Sequence, residues 1–402
     1  MAMNQTPASN RIHIGFFGRR NAGKSSIVNA VTGQSLAIVS PVKGTTTDPV
    51  YKTMELLPMG PVMIIDTPGI DDEGELGELR VKKTRQVLNK TDVAVLVIDG
   101  RAGMTDADLE MERLIKEKNI PYIVVMNKAD LWAENKDAHE TYLYASAKDG
   151  TGIHELKERI ARLSKQEGIE RKIVGDLLEP GDFVVLVTPI DAAAPKGRLI
   201  LPQQQTIRDI LDAGAVSIVV KDTELKETLE KLGTKPKLVI TDSQAFKQVA
   251  AVTPEDIMLT SFSILFIRYK GELDAAIEGA GVLDQLSDGD RILISEGCTH
   301  HRQCDDIGTY KIPKWVESYT GKTLQYEWTS GTEFPDDLSG YKMIIHCGGC
   351  MLNAREMAYR QKCANDQGVP MANYGVLIAK TQGILERSIE PFVKKMADNS
   401  YK

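Results

Sequence analysis

The run Gly18-Arg-Arg-Asn-Ala-Gly-Lys-Ser25 fits G-x-x-x-x-G-K-[ST] and stands between an apolar stretch, Ile12–Gly18, and a helical pattern beginning near Ser26. This spacing restricts the fold tightly, because the chain must wrap an anion where a strand hands over to a helix. In that setting Gly18, Asn21, Ala22, Gly23, Lys24, Ser25 and Ser26 line a phosphate site. Backbone N–H groups face the oxygens, the Lys24 ammonium reaches the terminal phosphates, and the Ser25 hydroxyl serves as a Mg²⁺ ligand. Such a strand needs parallel neighbours joined by crossover helices, and the β-rich runs Val62–Asp66, Val93–Asp99 and Tyr122–Asn127 supply them. Residues 1–174 therefore read as an α/β domain with a mainly parallel sheet, closed by a polar helix from Gly152 to about Lys172.

A chain of 402 residues exceeds one ordinary core, and the α/β alternation restarts twice. Residues 175–270 carry strand candidates at Phe183–Thr188, Ser217–Lys221, Leu238–Thr241 and Ser261–Tyr269, with helical patterns at Gln205–Ala213 and Thr223–Leu232. The last of these strands reads as a buried core strand or as an edge seeking a partner subunit. Residues 271–402 add strands at Arg291–Ser295, Tyr341–His346 and Met371–Ile378. A net charge of -7 argues against a broadly basic nucleic-acid surface. No apolar stretch approaches bilayer length, and Met1–Arg11 is polar, so the expectation is a cytoplasmic protein with neither nucleic-acid nor membrane partners.

Two further strand ends complete a nucleotide site. Asp66-Thr-Pro-Gly69 offers a carboxylate that holds Mg²⁺ through water and a Gly69 N–H that senses the γ-phosphate. Asn127-Lys128-Ala-Asp130 places a carboxylate that accepts both guanine N1–H and N2–H, and Ser146-Ala147-Lys148 completes the base pocket. The catalytic set is then Lys24, Thr46, Asp66 and Gly69, with Thr46 the preferred switch ligand to Mg²⁺ and Thr45 and Thr47 as alternatives. Ile70 stands where many regulatory GTPases have a water-orienting glutamine, so intrinsic turnover of GTP to GDP is expected to be slow. Asp71, Asp72, Glu73 and Glu75 are nearby acidic groups, read as a solvated loop or as water-positioning residues.

All five cysteines lie after residue 297. In a reducing compartment they point to metal or redox chemistry and not to a disulfide framework. Cys298-Thr-His300 and His346-Cys347-Gly-Gly-Cys350 each follow an apolar strand run, where open α/β sheets place their sites. The glycines permit a tight path, and the helical pattern from Asn353 to Gln367 turns its positive end toward the thiolates. Soft sulfur donors select an Fe–S centre or zinc over magnesium or calcium, and a Cys₃His zinc site stays open on donors alone. Three firm cysteines, with His300, His346 and Glu296 competing for a fourth place, suit a 4Fe-4S cluster with one exchangeable iron. Cys304, Cys363 and His301 read as residues outside the motif.

The spaced nucleotide motifs resemble those of translation-factor-class GTPases. Asn21 with Gly44-Thr-Thr-Thr-Asp48 resembles the tRNA-modification and Era-like branch, which implies a K⁺ beside the phosphates, held by Asn21, doing the work of an arginine finger. This chain departs from that branch at Thr47, where arginine is usual. With C-x-H followed after forty-five positions by H-C-x-x-C, the whole chain in domain order resembles the HydF family of FeFe-hydrogenase maturation GTPases. The resemblance implies a GTP-binding domain, a central dimerisation domain giving a homodimer, and a C-terminal domain holding 4Fe-4S. It also implies a scaffold that receives a diiron precursor made with radical-SAM maturases and passes it to the apo FeFe-hydrogenase. The alternative is an RNA-modification or ribosome-assembly GTPase with a structural zinc domain, which calls for a basic or KH-like surface that the charge balance does not suggest.

Overall fold

The computed structural model describes residues 8–33, 49–57, 59–69, 83–131, 142–165, 171–190, 199–297, 306–331 and 333–399. Two compact units divide the chain, Met1–Ile169 and Glu170–Lys402. In the first, six strands take the order β2-β3-β1-β4-β5-β6. These are β1 (Ile12–Phe17), β2 (Val50–Leu56), β3 (Gly60–Asp66), β4 (Val93–Asp99), β5 (Tyr122–Asn127) and β6 (Tyr142–Tyr144). Only β2 runs antiparallel, against β3. Among the described residues the helices are α1 (Lys24–Thr32), α2 (83–89), α3 (Asp106–Glu117) and α4 (Ile153–Lys165).

Strand β4 reads Val-Ala-Val-Leu-Val-Ile-Asp without alternation because both sheet faces are covered. Val95 and Val97 join Ile27 and Val31 of α1 and Leu156 and Ile160 of α4 on one face. Leu96 and Ile98 meet Val87 and Leu88 of α2 and Met111 and Ile115 of α3 on the other. The carboxyl ends of β1, β3 and β5 are left free to carry the phosphate loop, Asp66 and Asn127.

The second unit holds two parallel four-stranded sheets, β10-β9-β7-β8 and β12-β11-β13-β14. The first is built from β7 (Phe183–Val187), α5 (Leu201–Asp212), β8 (Val216–Val220), α6 (Leu225–Lys231), β9 (Leu238–Thr241), α7 (Phe246–Val252) and β10 (Met258–Ser261). Helices α8 (Phe262–Lys270) and α9 (Leu273–Gly281) lead into the second sheet. That sheet comprises β11 (Arg291–Glu296), α10 (Ile312–Thr320), β12 (Gln325–Ser330), β13 (Met343–His346), α11 (Ala354–Asp366) and β14 (Met371–Asn373), followed by α12 (Tyr374–Thr381) and α13 (Leu385–Asn399). One apolar core runs through both sheets, from Val184 and Ile240 to Ile294, Val376 and Phe392. At Gly279 an added Cβ would lie 2.3 Å from the Met371 carbonyl, so only glycine lets α9 settle on β14.

Two strand expectations are corrected. Ser261–Tyr269 is the end of β10 and then the helix α8: the Ser261 hydroxyl accepts the Ile264 N–H at 3.3 Å, and Gly271 at φ 91° closes the helix. Met371–Ile378 likewise yields three strand residues ending at Asn373, whose side chain caps α12 by accepting the Val376 N–H at 3.2 Å. Strands β2, β6 and β12 have no counterpart in the sequence reading.

Candidate functional site

The phosphate loop follows β1 and takes positive φ at Gly18, Asn21 and Gly23. Gly18 sits at φ 139°, where an added Cβ would meet the Val97 carbonyl oxygen at 2.1 Å, and Asn21 takes φ 60°. Lys24, almost wholly buried, donates from Nζ to the carbonyls of Gly18 at 2.8 Å and Arg19 at 2.9 Å. Its ammonium thus rests on the loop it closes. Ser25 and Ser26 open α1, and the Ser25 hydroxyl donates to Asp66 Oδ2 at 2.8 Å. Asp66 Oδ1 is buried without a hydrogen-bond partner, and burial raises its carboxyl above the usual range against the pull of Ser25 and Lys24. A buried carboxylate with an orphaned oxygen beside a hydroxyl fits a hydrated Mg²⁺, which neutralises the charge and satisfies both groups. Gly69 lies so close that a Cβ would be 2.9 Å from Arg20 N, which ties the loop after β3 to the phosphate loop.

On the base side, Asn127 Nδ2 donates to the Ala22 carbonyl at 2.9 Å, while Asn127 Oδ1 accepts the Ala147 N–H at 3.3 Å. Lys128, at φ 64°, reaches the Asn21 carbonyl at 2.8 Å and Asp99 Oδ2 at 2.7 Å. Arg101 first, and Lys128 with it, holds the Asp99 carboxyl well below its usual range. Asp130 Oδ1 accepts from the Ser146 hydroxyl at 2.9 Å, and Lys148 Nζ stands 3.8 Å from Oδ2. Asn127, Lys128, Asp130 and Ser146–Lys148 therefore form one wall bonded to the phosphate loop. Asp99 was not singled out in the sequence; its signal is an acid at the end of a wholly apolar strand. Thr45, Thr46, Thr47 and the acidic residues 71–75 lie outside the described residues.

In the second unit, β11 and β13 are neighbours and end side by side. The Cys347 N–H donates to the Ser295 carbonyl at 3.0 Å, and Cys347 Sγ accepts N–H groups from Gly297 at 3.0 Å and Gly349 at 3.4 Å. Burial pushes the Cys347 thiol up to about 11 despite those two bonds, and burial also raises Cys350, which the charge of Lys270 lowers. Lys270 itself is buried and donates to the Leu352 carbonyl at 2.7 Å. Backbone N–H donors and a nearby ammonium suit thiolates that ligate a metal centre. Gly297 immediately precedes Cys298, which lies outside the described residues together with His300. Among the described residues no group of three His, Cys, Asp or Glu stands ready to hold a metal.

Of the other ligand candidates, Glu296 is buried and Oε1 accepts from the Tyr374 hydroxyl at 3.1 Å. His346 has both ring nitrogens engaged: Nδ1 lies 2.7 Å from the Cys347 carbonyl oxygen and Nε2 3.0 Å from Arg360 Nη1. Burial, with the Arg360 charge second, holds this imidazole down at about 3. Arg360 and Lys270 escape sequence reading because their partners come from distant stretches of chain.

The two four-stranded sheets correspond to two consecutive known domains. Residues 173–271 match the hydrogen maturase F dimerization domain, and residues 274–391 match the hydrogen maturase F tetramerization domain. The chain belongs to the hydrogen maturase F family. Residues 13–128 match the 50S ribosome-binding GTPase family, so the first unit is a GTPase domain whose site takes GTP or GDP with Mg²⁺. Tetramerization widens the expected homodimer. Similar curated proteins include a tRNA modification GTPase MnmE from Desulfotalea psychrophila, 36% identical over 154 residues, covering 36% of this chain and 32% of that one. A GTPase Der from Wolinella succinogenes is 32% identical over 187 residues, covering 42% of this chain and 39% of the other. The match spans about a third of the length of these relatives. A crystal structure of a probable GTP-binding protein engB is 26% identical, with a TM-score of 0.32 over 39% of this chain and all of that one. No described helix is long and apolar enough to cross a membrane.

Proposed function

We propose that this chain is a GTP-hydrolysing scaffold of hydrogenase maturation that binds a 4Fe-4S cluster through Cys298, Cys347 and Cys350 and delivers a diiron precursor to the apo FeFe-hydrogenase. The observation that carries the cluster reading is the bond from Gly297 N–H to Cys347 Sγ, which sets the chain neighbour of Cys298 against a second thiol of the motif. When bound, the cluster supplies an iron that accepts an outside ligand. The chain's own part is to fix the thiolates with backbone N–H donors and to surround them with buried groups. His300, His346 and Glu296 are the fourth-ligand candidates. Domain limits of 1–174, 175–270 and 271–402 go with this reading, as do radical-SAM maturases as upstream partners and a cytoplasmic site of action.

Thr45 or Thr46 and the Gly69 N–H sense the bound GTP, so hydrolysis times contacts with a partner. Asn21, exposed at positive φ above the loop, holds the K⁺ that speeds turnover. Anaerobic reconstitution followed by iron, sulfide and zinc analysis with EPR tests the assignment. About four iron and four sulfide per chain, and a reduced-cluster EPR signal, are expected. Tightly held zinc without sulfide overturns it in favour of a structural zinc domain.

A further inference from the structure

Arg360 is the largest side chain with no exposure among the described residues, and it projects from α11 toward the end of β13. Its guanidinium has five N–H donors and no acceptor. Nε donates to Glu356 Oε1 at 3.0 Å, Nη2 to the Gly331 carbonyl at 2.7 Å, and Nη1 to Ser295 Oγ at 3.2 Å. The remaining close contact of Nη1 is His346 Nε2, at 3.0 Å, and the guanidinium lies 5.1 Å from the centre of the Phe334 ring.

These contacts fix the imidazole. A carbonyl only accepts, so the 2.7 Å contact to the Cys347 oxygen places the proton on Nδ1. The sole lone pair in the ring plane is then on Nε2, where it accepts from a guanidinium that can only donate. A neutral imidazole has one such pair to give a metal. Here it is already committed, and the opposite tautomer would set N–H against N–H.

We propose that Arg360 is a positioning residue that withholds His346 from the iron, leaving the fourth place at the sulfur site to another group. Glu356, one helical turn earlier, holds the guanidinium in place. Ser295 and Cys347 join the same network from β11 and the end of β13, so the bond that occupies His346 also steadies the backbone carrying a cysteine.

The inference rests on the 4Fe-4S reading, and its test separates the two. Full-length protein is reconstituted anaerobically, its iron and sulfide are measured, and the reduced cluster is examined by pulsed EPR for ¹⁴N coupling. His346→Gln keeps an acceptor for Arg360, and it should leave the iron content and any ¹⁴N coupling of the native protein unchanged. Arg360→Lys, which lacks the fork, and the double variant Glu356→Gln/Arg360→Met, which leaves no unpaired buried carboxylate, should acquire an imidazole coupling that His346→Gln then removes. Loss of a native ¹⁴N coupling in His346→Gln overturns the inference. So does an unchanged spectrum in both Arg360 variants. Absence of iron and sulfide from the native protein overturns the cluster reading instead.

Discussion

Gly23 shows how little room the nucleotide site leaves. It precedes α1 at φ 92°, and an added Cβ would lie 2.2 Å from Asn127 Nδ2, the atom that bonds the Ala22 carbonyl. Gly23→Ala must therefore push Asn127 off the phosphate loop as well as strain the backbone, and GTP binding measured with a fluorescent analogue should be lost. Gly33→Ala, at φ 66° with nothing within 4 Å, should cost only about 1 kcal/mol of stability and leave binding intact. Equal effects of the two variants would refute the argument. Asp130 supports a second prediction. Its carboxylate is braced by Ser146, and the proposed role is to accept two donors of guanine. Asp130→Asn should weaken GTP at least about a hundredfold while improving binding of xanthosine triphosphate, because a site built for hydrogen bonds rejects a ligand that leaves them unmade. Competition binding decides it, and unchanged preference for GTP would remove Asp130 from the base pocket. Both residues were legible as motif letters, since loop and base contacts are local chemistry. Arg360 was not, because its role exists only once Ser295, Gly331, His346 and Glu356 are brought together.

At the scale of elements, the second unit treats its sheet edges unequally. In the sheet β10-β9-β7-β8, α13 packs against β10, whereas β8 at the other edge leaves Val216 and Val219 about 40% exposed. An edge strand with apolar side chains and free backbone groups invites another strand. This edge falls within the matched dimerization domain, so a second copy is its expected occupant. Val219→Lys should weaken self-association on the order of tenfold, about 1.4 kcal/mol, because like charges then approach across the junction. Light scattering after size exclusion measures it, and an unchanged mass at every dilution would exclude β8 from the interface. From sequence, by contrast, Ser261–Tyr269 reads as a buried core strand or as the edge seeking a partner. That run lacks period because α8 is buried nearly all round, and a helix without a polar face looks like a buried strand. The Ser261 cap and Gly271 stop were the local signals that distinguish the two.

At the scale of the molecule, Lys24, Ser25 and Asp66 lie in the first compact unit, and Cys347 and Cys350, the proposed cluster ligands, lie in the second. The cores are separate, with Val95 and Ile160 clustered with Ala22 of the phosphate loop and Ile345 and Leu352 packed with Cys347 and Cys350. Damage to one site should therefore spare the other. Lys24→Ala removes the ammonium that meets the terminal phosphates, so turnover should fall by about a hundredfold or more while iron and sulfide stay at native content. Cys347→Ala removes a sulfur to which Gly297 and Gly349 donate, so the cluster should be lost while GTP turnover stays within about twofold. The double measurement, phosphate release and iron content on the same preparations, makes the comparison internal. If Lys24→Ala also lost its cluster, the nucleotide would have to be a folding ligand of the second unit. If it did not, any influence of GTP on cargo transfer must act by shifting populations of an assembled protein, and its size is limited by the difference in GTP affinity between the two states.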